Sequence, residues 1–259
     1  MVVPEPLPLL VSESLKRAGF RHGFTTRAGG VSDLPFDTLD FAILRDPEGL
    51  AENQRRLANA VGFDAARLYQ TKQVHGRAVV RAEGDVAEML THEADALIGE
   101  PRSGAAVAVR VADCVPVLIA DPASGRVAAV HAGWRGVVAD VIGAAVRQLV
   151  RDGSGLVAAI GPCIGGCCFE VDEDVAASIA RTTTDSVVVR RDPNAGKAFV
   201  DLRAGVRTQL RALGLSDTVI EDVPGRGSAG FTRCDARRFY SYRRDVDASG
   251  RLLAVIVAR

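Results

Sequence analysis

The sequence predicts an α+β fold with mixed sheets in a single compact domain, and three observations predict it. Residues 105–133 hold three short, Val-rich apolar runs separated by turns. A helical period over 134–150 is followed by another apolar run at 156–162, which together read as a β-α-β unit. The 259 residues contain no repeat, no low-complexity tract and no Gly/Ser or Pro linker that would divide them. Strand hairpins mixed with β-α-β units indicate mixed sheets rather than an all-parallel one.

AAVAVRVADC (105–114) and VPVLIAD (115–121) read as buried strands, DPASG (121–125) as a turn and RVAAVHAG (126–133) as a third strand. Pro116 is expected to disturb the ladder beside Cys114. Trp134, Val137, Val138, Val141, Ile142, Ala145, Val146 and Leu149 recur at helical spacing, which predicts one continuous helix. Further helices are expected at 172–180 and 202–214, and strands at 187–191, 218–223 and 251–259. RRFYSYRRD (237–245) reads as a strand with alternating faces, with a grip on phosphate or RNA as its functional alternative. Residues 1–18 read as a lead-in.

Composition excludes several classes. Hydrophobic residues make up 47% and charged residues 25%, which suits a globular core. Lys+Arg and Asp+Glu are 32 each, so no net charge draws the chain to nucleic acid or to a membrane surface. No secretory leader is legible in MVVPEPLPLLVSES, and no apolar run reaches about 18 residues, so no membrane partner is expected. Five cysteines, two of them adjacent at 167 and 168, point to reduced thiols and a cytoplasmic location. There is no P-loop, GxGxxG, HExxH or GxSxG motif. The PCxxC of zinc deaminases is missing too, since Cys167 falls one residue too far from Pro162-Cys163.

Two of the four histidines, His75 in QVHG and His131 in VHAGW, lie beside glycines at apparent strand ends, and Cys114 sits in ADCVP. Strand ends next to turns converge and expose side chains. Two imidazoles and a thiolate suit zinc, or copper, and three protein ligands leave a fourth position for water or substrate. The wide spacing matches no compact ligand pattern, so a buried thiol and two hydrogen-bonded histidines stand as the alternative. Arg135, in the first turn of the helix after His131, and Arg27, in the glycine turn GFTTRAGGVS, are candidates for holding phosphate; ordinary turns are the alternative. Cys163, Cys167 and Cys168 are read as small buried thiols in preference to ligands.

Taken in order, TTRAGGVS, TKQVHG, ADALI, VADCVPVLIAD, VAAVHAGWRG, AIGPCIGGCCFEV, FVDLRAGVRTQL and FYSYRRD closely resemble the YfiH family, also called the laccase-domain or multicopper polyphenol oxidase family. The resemblance runs from about residue 20 to the C-terminus. It implies αββα layers, and metal ligands at His75, Cys114 and His131. It also implies a metal-dependent purine nucleoside phosphorylase acting on adenosine- or inosine-type nucleosides and phosphate, with adenosine deaminase side activity. Copper-dependent polyphenol oxidation and editing of peptidoglycan precursors are the family's other described activities. Four histidines are too few for a conventional multicopper set, which ranks phenol oxidation lower. A Cys-His hydrolase with Cys114 as nucleophile is a further alternative. The chain departs from the family at TLDFA (38–42), where a SLNL-type segment is usual, which leaves substrate contacts from that segment in doubt.

Overall fold

The computed structural model describes residues 7–259 apart from 44, 151, 152, 154 and 226. In chain order, the first half runs α1 (Glu13–Arg17), β1 (His22–Phe24), α2 (Pro47–Val61), β2 (Leu68–Tyr69), β3 (Val79–Arg81), α3 (Val86–Met89), β4 (Ala96–Gly99), β5 (Ala106–Val111), β6 (Val115–Ala120) and β7 (Val127–Ala132). The second half runs α4 (Trp134–Val138), α5 (Val141–Leu149), β8 (Val157–Ile160), β9 (Glu170–Asp172), α6 (Glu173–Thr182), β10 (Val188–Asp192), β11 (Lys197–Val200), α7 (Leu202–Ala212), β12 (Ile220–Asp222), α8 (Tyr242–Asp245) and β13 (Leu252–Val257). A six-stranded mixed sheet has the order β12-β8-β6-β7-β4-β3, a four-stranded sheet β1-β13-β5-β2, and a small antiparallel sheet β10-β11-β9.

The layers follow from side-chain alternation. On β6, Val115, Val117 and Ile119 face the helices, joining Val141, Ile142 and Val146 of α5 and Val206 and Leu210 of α7. Leu118 and Ala120 face the other way, meeting Val107 and Val109 of β5 and Ala254 and Ile256 of β13. The opposite faces of β5 and β13, through Ala106, Ala108, Leu253, Val255 and Val257, pack on Leu57 and Val61 of α2. Both large sheets are therefore buried on both faces, which is why their strands read as unbroken apolar runs. The order is helix, sheet, sheet, helix, and the fold is mixed α/β as the sequence predicts. Leu118 is fully buried between the sheets, so truncating it to Ala would cost about 2–5 kcal/mol.

Strands β7 and β8 both run antiparallel to β6 and hence parallel to each other, so the β-α-β unit is present with β6 between its strands. Its helix is not continuous. Asp140 adopts a left-handed conformation (φ 64, ψ 48) and caps a new helix by accepting from the Gly143 amide. The apolar period crosses this break undisturbed, so periodicity cannot reveal it. Pro116 does not interrupt the ladder either. It pairs with His131 inside β6 and its carbonyl accepts from the Gly161 amide.

Residues 237–245 form a turn followed by α8 rather than a strand. Ser241 caps α8 by accepting from the Arg244 amide, and Asp113 captures the neighbouring Arg243 amide, so local side-chain bonds replace a ladder. Of the lead-in, residues 1–6 lie outside the described residues, while α1 docks Leu15 into the core between the sheets. No helix among the described residues is long and apolar enough to cross a membrane.

Candidate metal centre

Strands β4 and β7 pair with Ala96 opposite Val130, which sets Asp95 beside His131 at the end of the ladder. Asp95 is fully buried. One of its carboxylate oxygens accepts from His131 Nδ1 at 2.7 Å, and the His131 amide donates to the Asp95 carbonyl at 2.8 Å. The same carboxylate accepts from the amides of Val74 (3.2 Å), His75 (2.9 Å) and Gly76 (2.6 Å). It thereby shapes the turn in which His75 takes a left-handed φ of 61. Burial pushes the Asp95 carboxyl up, but the His131 hydrogen bond and these amides outweigh it and hold it below its ordinary value. One carboxylate thus positions both histidines. It fixes His131 with Nδ1 spent and Nε2 left for the cleft, an arrangement typical of metal-ligating imidazoles.

Cys114 lies in the turn between β5 and β6. The preceding Asp113 has φ 89, and its carboxylate is held by Thr232 Oγ1 (2.6 Å), Ser241 Oγ (3.0 Å) and the Arg243 amide (2.6 Å). One ligand atom each from His75, Cys114 and His131 lies within 4.8 Å of the others. The two imidazole rings meet nearly edge to face, with centroids 4.8 Å apart. Gly133 keeps this space open, since a Cβ there would come within 2.8 Å of His75 Cδ2 and 3.1 Å of Cys114 Sγ.

Burial pushes the Cys114 thiol up, but His131 and His75 beside it prevail and bring it down to about 6. Burial likewise lowers His131, and Cys114 and Asp95 overcome it, raising it to about 9. The trio therefore favours a thiolate, the form in which cysteine ligates. A thiolate with two imidazoles, one anchored by a carboxylate, fits zinc or copper and leaves room for a further ligand.

The trio lines a cleft of about 640 Å³. Arg110 and Arg251 share its wall with Lys72, Phe169, Tyr242 and Arg243. Arg110 donates to Gln70 Oε1 and the Thr71 carbonyl, both at 2.7 Å, and no carboxylate among the described residues opposes it. Burial, and then the charge of Arg251, lowers Arg110 to about 10, so an anion entering the cleft would relieve both arginines. The departing segment 38–42 supports this wall, since Asp40 accepts from the Arg251 amide at 2.6 Å while Leu39 and Phe41 are core residues.

The structure gathers His75, Cys114 and His131 but brings neither Arg27 nor Arg135 to the lining of the cleft. Arg27 is spent on the carbonyls of Pro35, Asp37 and Ala236 and on the Asp37 carboxylate. Arg135 lies exposed over the Trp134 ring, and α4 is only five residues long. Asp95, Arg110 and Arg251 are missed by sequence reasoning. The one available signal for Asp95 is its place in ADALI, an acidic residue opening a buried strand.

Residues 21–259 match the family model described as multi-copper polyphenol oxidoreductase laccase. A purine nucleoside phosphorylase of Deinococcus radiodurans is 40% identical, covering 96% of this chain and 92% of that one. A purine nucleoside phosphorylase of Streptomyces coelicolor is 38% identical over 92% of this chain and 95% of its own. The crystal structure of YlmD from Geobacillus stearothermophilus superposes with a TM-score of 0.82 at 31% identity, covering 96% of this chain and 94% of that one. That of the Bacillus licheniformis hypothetical protein YfiH superposes with a TM-score of 0.87 at 27% identity, covering 98% and 97%. The fold, the motifs and these matches agree, and the chain belongs to the multi-copper polyphenol oxidoreductase laccase family.

Proposed function

We propose that the chain is a metal-dependent purine nucleoside phosphorylase, cleaving adenosine- or inosine-type nucleosides with phosphate and deaminating adenosine as a side activity. The names of the Deinococcus and Streptomyces relatives support the reaction class. The observation that carries the reading is that the His/His/Cys trio shares one cleft with two arginines, Arg110 and Arg251, both held below their ordinary values chiefly by burial. Phosphorolysis needs a multiply charged anion held against the ribose. A phosphate oxygen bonds to C1′ as the C1′–N9 bond breaks, and the departing purine takes up the electron pair and a proton. That is a problem of positioning and electrostatics. Arg110 and Arg251 hold the phosphate, and their partial burial strengthens the attraction. Phe169 and Tyr242 offer aromatic surface to the base.

His75, Cys114 and His131 hold the metal, with zinc favoured by the donor set and copper admitted by it. When bound, the ion supplies Lewis-acid chemistry of the kind that deamination at adenine C6 draws on. Asp95 keeps both histidines in place for it. Five unpaired cysteines fit a reducing compartment, the cytoplasm.

The test is incubation of the zinc-loaded protein with adenosine and phosphate, followed by separation of products. Adenine with ribose-1-phosphate is expected as the main pair, with inosine as the minor product. Inosine alone makes the chain a deaminase, and no turnover of any purine nucleoside overturns the reading.

A further inference from the structure

Outside the cleft, a second group of thiols comes together. Cys167 and Cys168 stand in the glycine loop after β8, and Cys234 follows α7 and β12. Their sulfurs form a nearly equilateral triangle, with Cys167–Cys168 at 3.3 Å and both distances to Cys234 at 3.5 Å. Cys167 and Cys234 are exposed and Cys168 is half-buried, so Cys167 and Cys168 are not the small core thiols that the sequence suggests, while Cys163 is one.

The backbone sets this convergence. The Cys163 amide donates to the Gly230 carbonyl (3.1 Å) and the Thr232 amide to the Cys163 carbonyl (2.9 Å), lacing the two loops together. Gly165 allows the close approach, since a Cβ there would lie 2.3 Å from the Phe231 ring. The Cys168 and Phe169 amides both donate to the Gly165 carbonyl, and the Cys234 amide donates to Phe231. The thiols are thus presented by two loops already tied to each other.

We propose that Cys167, Cys168 and Cys234 form a second metal site, a three-thiolate seat for a zinc ion distinct from the His75–Cys114–His131 centre. The circle through the three sulfurs has a radius of about 2.0 Å, so an ion with Zn–S bonds of about 2.3 Å sits roughly 1 Å outside their plane, on the solvent side, with a fourth position open. Each thiol releases one proton to solvent on binding, leaving the site one negative charge in excess. The positive charge of Arg233, beside Cys168, answers that charge. A disulfide would join two of the sulfurs and strand the third, whereas one ion uses all three.

The site has a consequence for the cleft. The loops it would clamp are bonded to the turn carrying Cys114, through the Ile164 amide to the Asp113 carbonyl (2.9 Å) and Thr232 Oγ1 to the Asp113 carboxylate (2.6 Å). An ion here is a brace behind one wall of the catalytic cleft.

The test uses the full chain with zinc itself as probe. Cys114→Ala, loaded with zinc and desalted, is expected to retain one zinc per chain, and Cys114→Ala with Cys234→Ser none. In the wild-type protein, zinc is expected to slow alkylation of Cys167, Cys168 and Cys234, mapped by mass spectrometry, by about tenfold or more. Retention of no zinc by Cys114→Ala together with unchanged alkylation rates overturns the proposal. The catalytic trio is judged separately, by the zinc that Cys234→Ser keeps.

Discussion

Two buried histidines in this molecule have nearly the same credentials and different fates. His22 is 6% exposed and His131 3%, and each lies near a carboxylate. His22 spends both ring nitrogens on the backbone: Nε2 accepts from the Ser12 amide and Nδ1 donates to the Phe20 carbonyl, both at 2.8 Å. Its neighbour Glu221 is engaged in turn by Ser12 Oγ and the amides of Glu13 and Ser14. His131 spends only Nδ1 and turns the other nitrogen toward Cys114 and His75. The closed network staples α1 to the sheets; the open one leaves a nitrogen for the metal-binding role proposed for it. A histidine's role here is decided by its unspent nitrogen, more than by its burial or the presence of a carboxylate.

The sharpest way to break the comparison is to damage each network in turn. Cys114→Ala should lower nucleoside turnover by roughly a thousandfold or more and empty the trio of metal. Its melting temperature should stay within several degrees of wild type, because a core of this size does not need an ion to hold it. His22→Ala should do the reverse, lowering the melting temperature while sparing kcat. Parallel assays of turnover and thermal unfolding check both, and a Cys114→Ala protein with full turnover would remove the thiol from the mechanism.

Asp95→Asn tests the carboxylate that holds both histidines of the proposed centre. It should weaken metal affinity by about 10–100-fold, read by competition with a chelator. Unchanged affinity would mean that the strand ladder alone sets the histidines. Next in size is the anion wall. Arg110→Ala should raise the KM for phosphate about tenfold or more and the KM for nucleoside by less, as expected for loss of a charged hydrogen bond. Arg135→Ala should leave both near wild type, and Arg27→Ala should act on stability through its lost carbonyl contacts. A phosphate effect confined to Arg27 or Arg135 would relocate the anion site.

The smallest effect is on acid stability. Burial, opposed by the Phe20 and Ser12 hydrogen bonds, holds His22 below its ordinary 6.5. Its contribution is therefore complete above 6.5 and is lost as pH falls from there through the lower folded value, because the unfolded chain binds the proton more readily. Burial raises Glu221, but Ser14 and Ser12 prevail and hold it below 4.5. Its contribution is present above 4.5 and is lost as pH falls through the folded value. Urea unfolding from pH 7 downward should show two successive losses, with His22→Asn removing the first and Glu221→Gln the second. Retention of the first loss in His22→Asn would assign that step to another group.

Much of this protein is legible along the chain. The apolar runs of β5, β6 and β7 announce strands buried on both faces, because burial acts on each residue where it stands. That His75, Cys114 and His131 come together is readable because ligand chemistry belongs to residue type and the surrounding motifs are specific to the family. What the tertiary structure alone decided is which side chains have capacity left over. Arg27 and Arg135 look as available as Arg110 and Arg251 in the sequence, yet Arg27 is paired with the Asp37 carboxylate and held by the distant Ala236 carbonyl, while Arg110 lines the cleft and among the described residues has no carboxylate against it. Asp95 meets His131 only because β4 pairs with β7, and Cys234 meets Cys167 and Cys168 only because two loops are laced through Cys163. Hydrogen-bond capacity and electrostatic opposition are properties of neighbours, and neighbours distant in sequence are chosen by the pairing of strands and loops.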